Sequence, residues 1–269
     1  IANYSFSSNH VDAKAKLIES LARLKNPTIT PFLENLYSKV EDTAMYQLAI
    51  LKALANRKTK ESSKLLVKLI EADIPLSSST WGTSWVFYPF YDSLSLTKYV
   101  YPDLLNFTFV EEYKKPIYDL MLRALDSSEL KTKVLKKDYK QLLREAKIEL
   151  KSQISTEQTA MAKEGKKKYY YTSYKNQGNY ELLRYCRILV PFYSKSAVRE
   201  FFKKTEKVQD YKVQTDIACL KVIHGIKVSN ETWLRLAQDV INVQYLYSKL
   251  KRIDRLDLFP KSEYTQEGI

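Results

Sequence analysis

Glycine occurs five times in 269 residues, at Gly82, Gly165, Gly178, Gly225 and Gly268. Average usage would supply about 7%. Glycine serves positive φ, tight strand-to-helix turns and close backbone approach to phosphate. A chain this poor in it has few such places. Phosphate-binding loops, dinucleotide fingerprints and nucleophile elbows all need glycines that are absent here. The remainder, rich in Leu, Lys, Glu and Ala, reads as one helix after another, and the expected class is all-α.

The N-terminal third repeats itself. Leu17-Ile18-x-x-Leu21-Ala22 is matched by Ile50-Leu51-x-x-Leu54-Ala55, and Phe32-Leu33 with Leu36 by Leu65-Leu66 with Leu69. The offset is 33 residues throughout. Lys25-Asn26-Pro27 and Lys58-Thr59-Lys60 are the turns between the apolar blocks. Each unit is therefore a helix, a polar turn and a second helix, the signature of a stacked helix-pair array. Ile217 to Ile223 match Leu48 to Leu54 in character, and Trp233-Leu234-x-Leu236 follows a turn, with Thr232 or Asn230 as its expected N-cap. Leu182 to Phe202, divided by Pro191, reads as a weaker copy.

The middle departs from this regularity. Ile74 to Thr80 is a polar break, and eight aromatics then fall between Trp81 and Tyr101. Helices are expected from Ser95 to Asn106, from Val110 to Leu125, and from Ser128 to Lys163. The organisation expected is one helical-repeat domain, or a piece of a longer solenoid. It comprises repeats over 11–73, an aromatic insert over 74–108, long helices over 109–164, a basic Tyr-rich loop over 165–178, repeats over 179–256 and a tail over 257–269.

The formal net charge is +13, with 34 lysines and only 10 arginines. Arginine recognises phosphate and base edges bidentately, whereas lysine is a solvated point charge. A lysine-dominated excess reads first as a solubilising surface, then as a surface for nucleic acid or an acidic partner. Cys186 and Cys219 fall within apolar helical patterns and read as buried, unbridged residues. His10 and His224 are far apart, and no His or Cys pair has metal-ligand spacing, so no metal or cofactor is expected. His224 reads as a helix C-terminal residue favoured by the dipole. No apolar run approaches a membrane span.

Two segments carry the candidate partner-binding residues. Trp81, Trp85, Tyr88 and Tyr91 of the aromatic insert read as packing anchors or as a partner surface. The long helix contributes Lys136, Lys137 and Lys140, and the following run adds Lys166, Lys167, Lys168, Tyr169 and Tyr170. Basic residues beside aromatics suit single-stranded nucleic acid, but these are blocked, not interleaved, and contain no Arg.

The units Ala15 to Tyr37 and Leu48 to Ile70 resemble HEAT-like repeats in period and in the placement of apolar pairs. A second resemblance is carried by Ile74-Pro75-Leu76, Tyr88-Pro89-Phe90-Tyr91-Asp92-Ser93-Leu94 and Tyr101-Pro102-Asp103-Leu104-Leu105. These are similar to the helical region downstream of the TraB/GumN domain in large bacterial proteins. That likeness implies an extracytoplasmic bacterial setting within a larger protein. The Gly-x-x-His motif of the TraB/GumN domain is absent, since neither His10 nor His224 has Gly three residues before it. No catalytic residue carries over. The expected function is a non-catalytic protein–protein interaction scaffold; the alternative is a nucleic-acid-binding repeat module using the lysine surface.

Overall fold

The structure, a computed structural model, describes residues 11–39, 44–72, 87–101, 103–108, 110–131, 134–164 and 180–260. Among them all regular structure is helical, with no strand. The chain divides into two compact units, Ile1–Val134 and Leu135–Ile269.

Unit 1 opens with two helix pairs. Helix α1 (Val11–Ser20), continued by a 3-10 turn over Leu21–Arg23, is followed by α2 (Ile29–Lys39); α3 (Ala44–Asn56) is followed by α4 (Lys60–Ala72). Helix α1 packs on α3, α2 packs on both α3 and α4, and α3 packs on α4. Helix α3 is apolar nearly all round, as a helix covered on several sides must be. Ala49, Ile50, Leu51, Ala53, Leu54 and Ala55 are all buried. The first pair lies at the outer side and buries less. Leu17 is 45% exposed where its repeat equivalent Ile50 is fully buried, and Phe32 is 40% exposed where Leu65 is buried. Equal sequence patterns thus give unequal burial, because one pair has neighbours on more sides.

The two pairs are tied by polar contacts at matching positions. Arg57, which stands 33 residues after Leu24, donates from Nη1 to the Leu24 carbonyl (2.8 Å), from Nη2 to the Asn26 carbonyl (2.9 Å) and from Nε to Thr30 Oγ1 (3.1 Å). Lys52 meets Glu19 at 3.7 Å, again 33 residues apart, and Lys68 meets Glu34 at 3.0 Å. These ion pairs are partly exposed and contribute little individually. The Arg57 fork closes the turn of one pair against that of the next.

The rest of unit 1 holds α5 (Tyr88–Tyr91), α6 (Thr97–Val100) and α7 (Glu111–Asp126). The single helix expected from Ser95 to Asn106 is instead a 3-10 turn over Leu94–Leu96, then α6, then a 3-10 turn over Asp103–Phe107. Proline disfavours helical geometry in the residue before it. Tyr101, which precedes Pro102, is extended at φ −78° and ψ 135°. Phe87, Phe90, Leu96, Leu104 and Phe107 are buried, as is the Tyr113, Ile117, Leu120, Met121 and Ala124 face of α7.

A 3-10 turn over Val134–Lys136 spans the boundary between the units, and the first helix of unit 2 is α8 (Tyr139–Glu164). Helix α8 starts eleven residues later than expected. The chain leaves α7 through Ser128 in the left-handed region (φ 63°), and Leu130 N–H bonds back to the Ala124 carbonyl. Then follow α9 (Tyr180–Leu189), α10 (Ser196–Lys204), α11 (Tyr211–Ile223), α12 (Asn230–Ala237) and α13 (Val243–Arg252). Helix α9 packs on α8 and α11, and α13 packs on α11 and α12. Ala218, Cys219, Trp233, Leu236, Leu246, Leu250 and Phe259 form one core. Asn242, 1% exposed, donates to the Leu236 carbonyl (2.9 Å) and to Thr215 Oγ1 (3.0 Å), so the buried chain reversal before α13 is satisfied.

Helix α11 repeats α3 only in part. Leu54 is fully buried, but its counterpart Ile223 is 61% exposed. The second helix of this pair, α12, has eight residues against thirteen in α4, and it covers less. The N-cap of α12 is Ser229, whose hydroxyl accepts from Thr232 N–H. Asn230 is already helical and Thr232 donates to the cap, so neither takes the expected role.

Candidate functional site

The residues singled out from sequence fall in different places. Trp81, Trp85, Lys166, Lys167, Lys168, Tyr169 and Tyr170 lie outside the described residues. Tyr88 and Tyr91 belong to unit 1. Their rings meet edge to face at 5.3 Å, Tyr91 Oη donates to the Pro116 carbonyl (3.1 Å), and the Arg123 guanidinium lies over the Tyr91 ring at 4.8 Å. Tyr91 is thus an anchor of α5 on α7, while Tyr88 is 46% exposed. Lys136, Lys137 and Lys140 belong to unit 2 and are exposed.

The three lysines lead into a longer feature. Lys140, Arg144, Lys147 and Lys151 recur at helical spacing along α8 and are all exposed. None of these cations, nor Lys136 or Lys137, forms an ion pair with a carboxylate among the described residues. Glu145 lies off this face, neither three nor four residues from any of the four, and accepts from Gln141 Nε2 (3.3 Å) and from Tyr185 Oη (3.3 Å). Ile148, 65% exposed, sits within the same stretch. The opposite face, with Leu142, Ala146 and Leu150, is buried. Helix α8 therefore carries a cationic stripe with an apolar member, held on a packed helix. Sequence spacing showed the lysines but not Arg144, which stands four residues after Lys140 and three before Lys147 and so continues their stripe.

A second cationic feature was not legible at all. A cleft of about 230 Å³ opens between the end of α10, α11 and the start of α12. Lys221, Lys227 and Arg235 line it, with Glu206 as its carboxylate. Lys221 Nζ lies 3.8 Å from Glu206 and its side chain is 12% exposed. Burial pushes the Lys221 ammonium down from its usual range, against the opposing pull of Glu206. Gln214, 7% exposed, also lines the cleft; its Nε2 donates to the Val208 carbonyl and its Oε1 has no partner. The loop bearing Lys227 is set by Gly225. That residue is left-handed at φ 70°, with Gly225 N–H bonded to the Val222 carbonyl and Ile226 N–H to the Lys221 carbonyl. The paired bonds are the Schellman arrangement, which favours glycine at this position. His224 precedes it as the exposed C-cap, its imidazole pushed down by partial burial.

Cys186 and Cys219 are buried free thiols. Burial raises both, Cys219 to about 12. Neither is available as a thiolate near neutrality. Among the described residues no cluster of His, Cys, Asp and Glu has the make-up of a metal site, and no helix is long and apolar enough to cross a membrane. Compared with protein-family models, with curated proteins and with solved structures, the chain matches none.

Proposed function

We propose that this chain is a non-catalytic scaffold of stacked helix pairs that holds an acidic partner protein along α8. The observation that carries the reading is the run of Lys140, Arg144, Lys147 and Lys151, which form no ion pair among the described residues, around the exposed Ile148. Charge at the edge and an apolar contact within it suit an amphipathic protein surface. Phosphate backbones offer nothing to Ile148. The HEAT-like reading supports the same conclusion, because stacked pairs expose extended surfaces that bind other proteins. The cross-links at the 33-residue offset are what a stacked arrangement needs.

The test is titration with a fluorescein-labelled amphipathic helical peptide bearing Glu on one edge and Leu at its centre. Binding at physiological salt is expected, with about a tenfold or greater loss in the Lys140→Glu, Lys147→Glu, Lys151→Glu triple variant and a smaller loss in Ile148→Ser. An unchanged affinity in the triple variant would refute the assignment to α8.

A further inference from the structure

Helix α8 changes character along its length. Its first half buries Leu142, Leu143, Ala146 and Leu150. Its second half buries Gln153 and Glu157, and none of residues 158–163 is buried. Apolar contacts do not titrate, but a carboxyl does. We propose that the second half of α8 is a pH-governed clasp, docked on the loop before α11 while a buried carboxyl at that junction holds a proton, and loosened as the carboxyl ionises. The clasp uses none of the stripe residues and stands or falls separately from the scaffold reading.

Glu157 is the last buried residue of α8 among those described, at 1% exposed. Its Oε1 accepts from Gln153 Nε2 (2.6 Å) within the helix, and its Oε2 accepts from Gln209 N–H (2.7 Å) across the junction. Both donors are neutral. Asp210, the next residue, is also buried and caps α11, its Oδ1 accepting from Lys212 N–H and Val213 N–H. The junction thus holds two buried carboxyls, and neither forms an ion pair among the described residues. Of the surrounding charges, Asp210 acts on Glu157, and Lys212 and Asp216 act on Asp210. Lys249 pairs with Asp216 (2.6 Å). On α9, Glu181 and Arg184 pair with each other and Arg187 is exposed. On α10 and the turn after it, Arg199, Glu200, Lys203, Lys204, Glu206 and Lys207 are all exposed.

A buried carboxylate without a cation is costly, and a proton removes that cost. Desolvation accordingly holds Glu157 above its usual value, and the charge of Asp210 adds to this, against the two hydrogen bonds. A carboxyl raised in the docked state favours docking fully below its free value, and that contribution is lost as pH rises through the docked one.

The experiment is amide hydrogen exchange of the full chain at pH 4.5 and pH 7, each corrected for intrinsic exchange, comparing residues 153–160 with 142–150. Protection over 153–160 is expected to fall about threefold or more at the higher pH, while 142–150 keeps its protection. Glu157→Gln, which cannot ionise, should abolish the fall. Asp210→Asn, which retains a capping side chain, should reduce it. Glu200→Gln, which removes an exposed charge elsewhere in unit 2, should leave it as in the parent chain. No fall in the parent chain, an equal fall over 142–150, or a full-sized fall in Glu157→Gln would overturn the proposal. Should Glu157→Gln not fold, an undiminished fall in Asp210→Asn would do the same.

Discussion

At the scale of the residue, Arg57 does what no motif announces. Its three donors reach two carbonyls and a hydroxyl in the preceding turn. Arg57→Ala should lower stability by about 1–2 kcal/mol, read from urea midpoints, because bonds from a charged donor exceed neutral ones and exposure reduces them. Arg57→Lys should recover little, since a point charge cannot fill a fork. Full recovery by Lys would assign the effect to charge alone. Glu157 offers a different test. It is 1% exposed, and its carboxylate accepts from Gln153 Nε2 and Gln209 N–H. Desolvation nevertheless holds its pKa above the usual 4.5, and Asp210, likewise raised by burial, adds to this. A raised carboxyl pKa means the fold retains a proton that the unfolded chain has lost, so stability falls as pH rises from 4.5 through the raised value. Comparing Glu157→Gln with the parent chain at pH 4.5 and pH 7, the balance should move toward the variant at the higher pH. Movement the other way would mean that the hydrogen bonds outweigh desolvation. Both thiols should resist labelling until the chain unfolds, given their burial.

At the scale of the element, helix ends explain the scarcity of glycine. Lys58, Ser128 and Asp254 occupy left-handed positions at φ 52°, 63° and 55°, where glycine is preferred. Among the described residues, Gly225 alone of the four left-handed positions carries the residue its geometry favours. Ser128→Gly should therefore raise stability by about 0.5–1 kcal/mol and Gly225→Ala should lower it by a similar amount, both measured by thermal or urea unfolding. A cost for Ser128→Gly would mean that backbone entropy outweighs the relieved strain. What was legible in the sequence lives at this scale. Apolar spacing showed the helices, and the 33-residue offset showed where two pairs begin and end. Capping and breaking were less legible, because Ser229, Tyr101 and Ser128 act through backbone angles that residue identity alone does not fix. The lysines of α8 were visible as a pattern, and so was the spacing that keeps Glu145 and Glu149 off their face, since neither stands three or four residues from Lys140, Arg144, Lys147 or Lys151. The cleft around Gln214 was invisible, since it brings together Glu206, Lys221 and Arg235 only after three helices have packed.

At the scale of the molecule, each unit has its own buried core, and the positive charge is spread over both. A chain of formal charge +13 attracts any polyanion at low ionic strength, so weak binding in dilute salt distinguishes nothing. The informative quantity is what survives screening. Contacts with nucleic-acid phosphates release counterions and weaken steeply as salt rises, whereas a surface with an apolar member retains part of its affinity. The most direct measurement is therefore the affinity of the chain for the amphipathic acidic peptide and for a mixed oligonucleotide, each at low and at physiological salt. The scaffold account predicts that peptide binding persists at physiological salt while oligonucleotide binding disappears. Oligonucleotide binding that persists there, and is lost when Lys136, Lys137 and Lys140 become Glu, would contradict it and establish the lysine surface as a nucleic-acid interface.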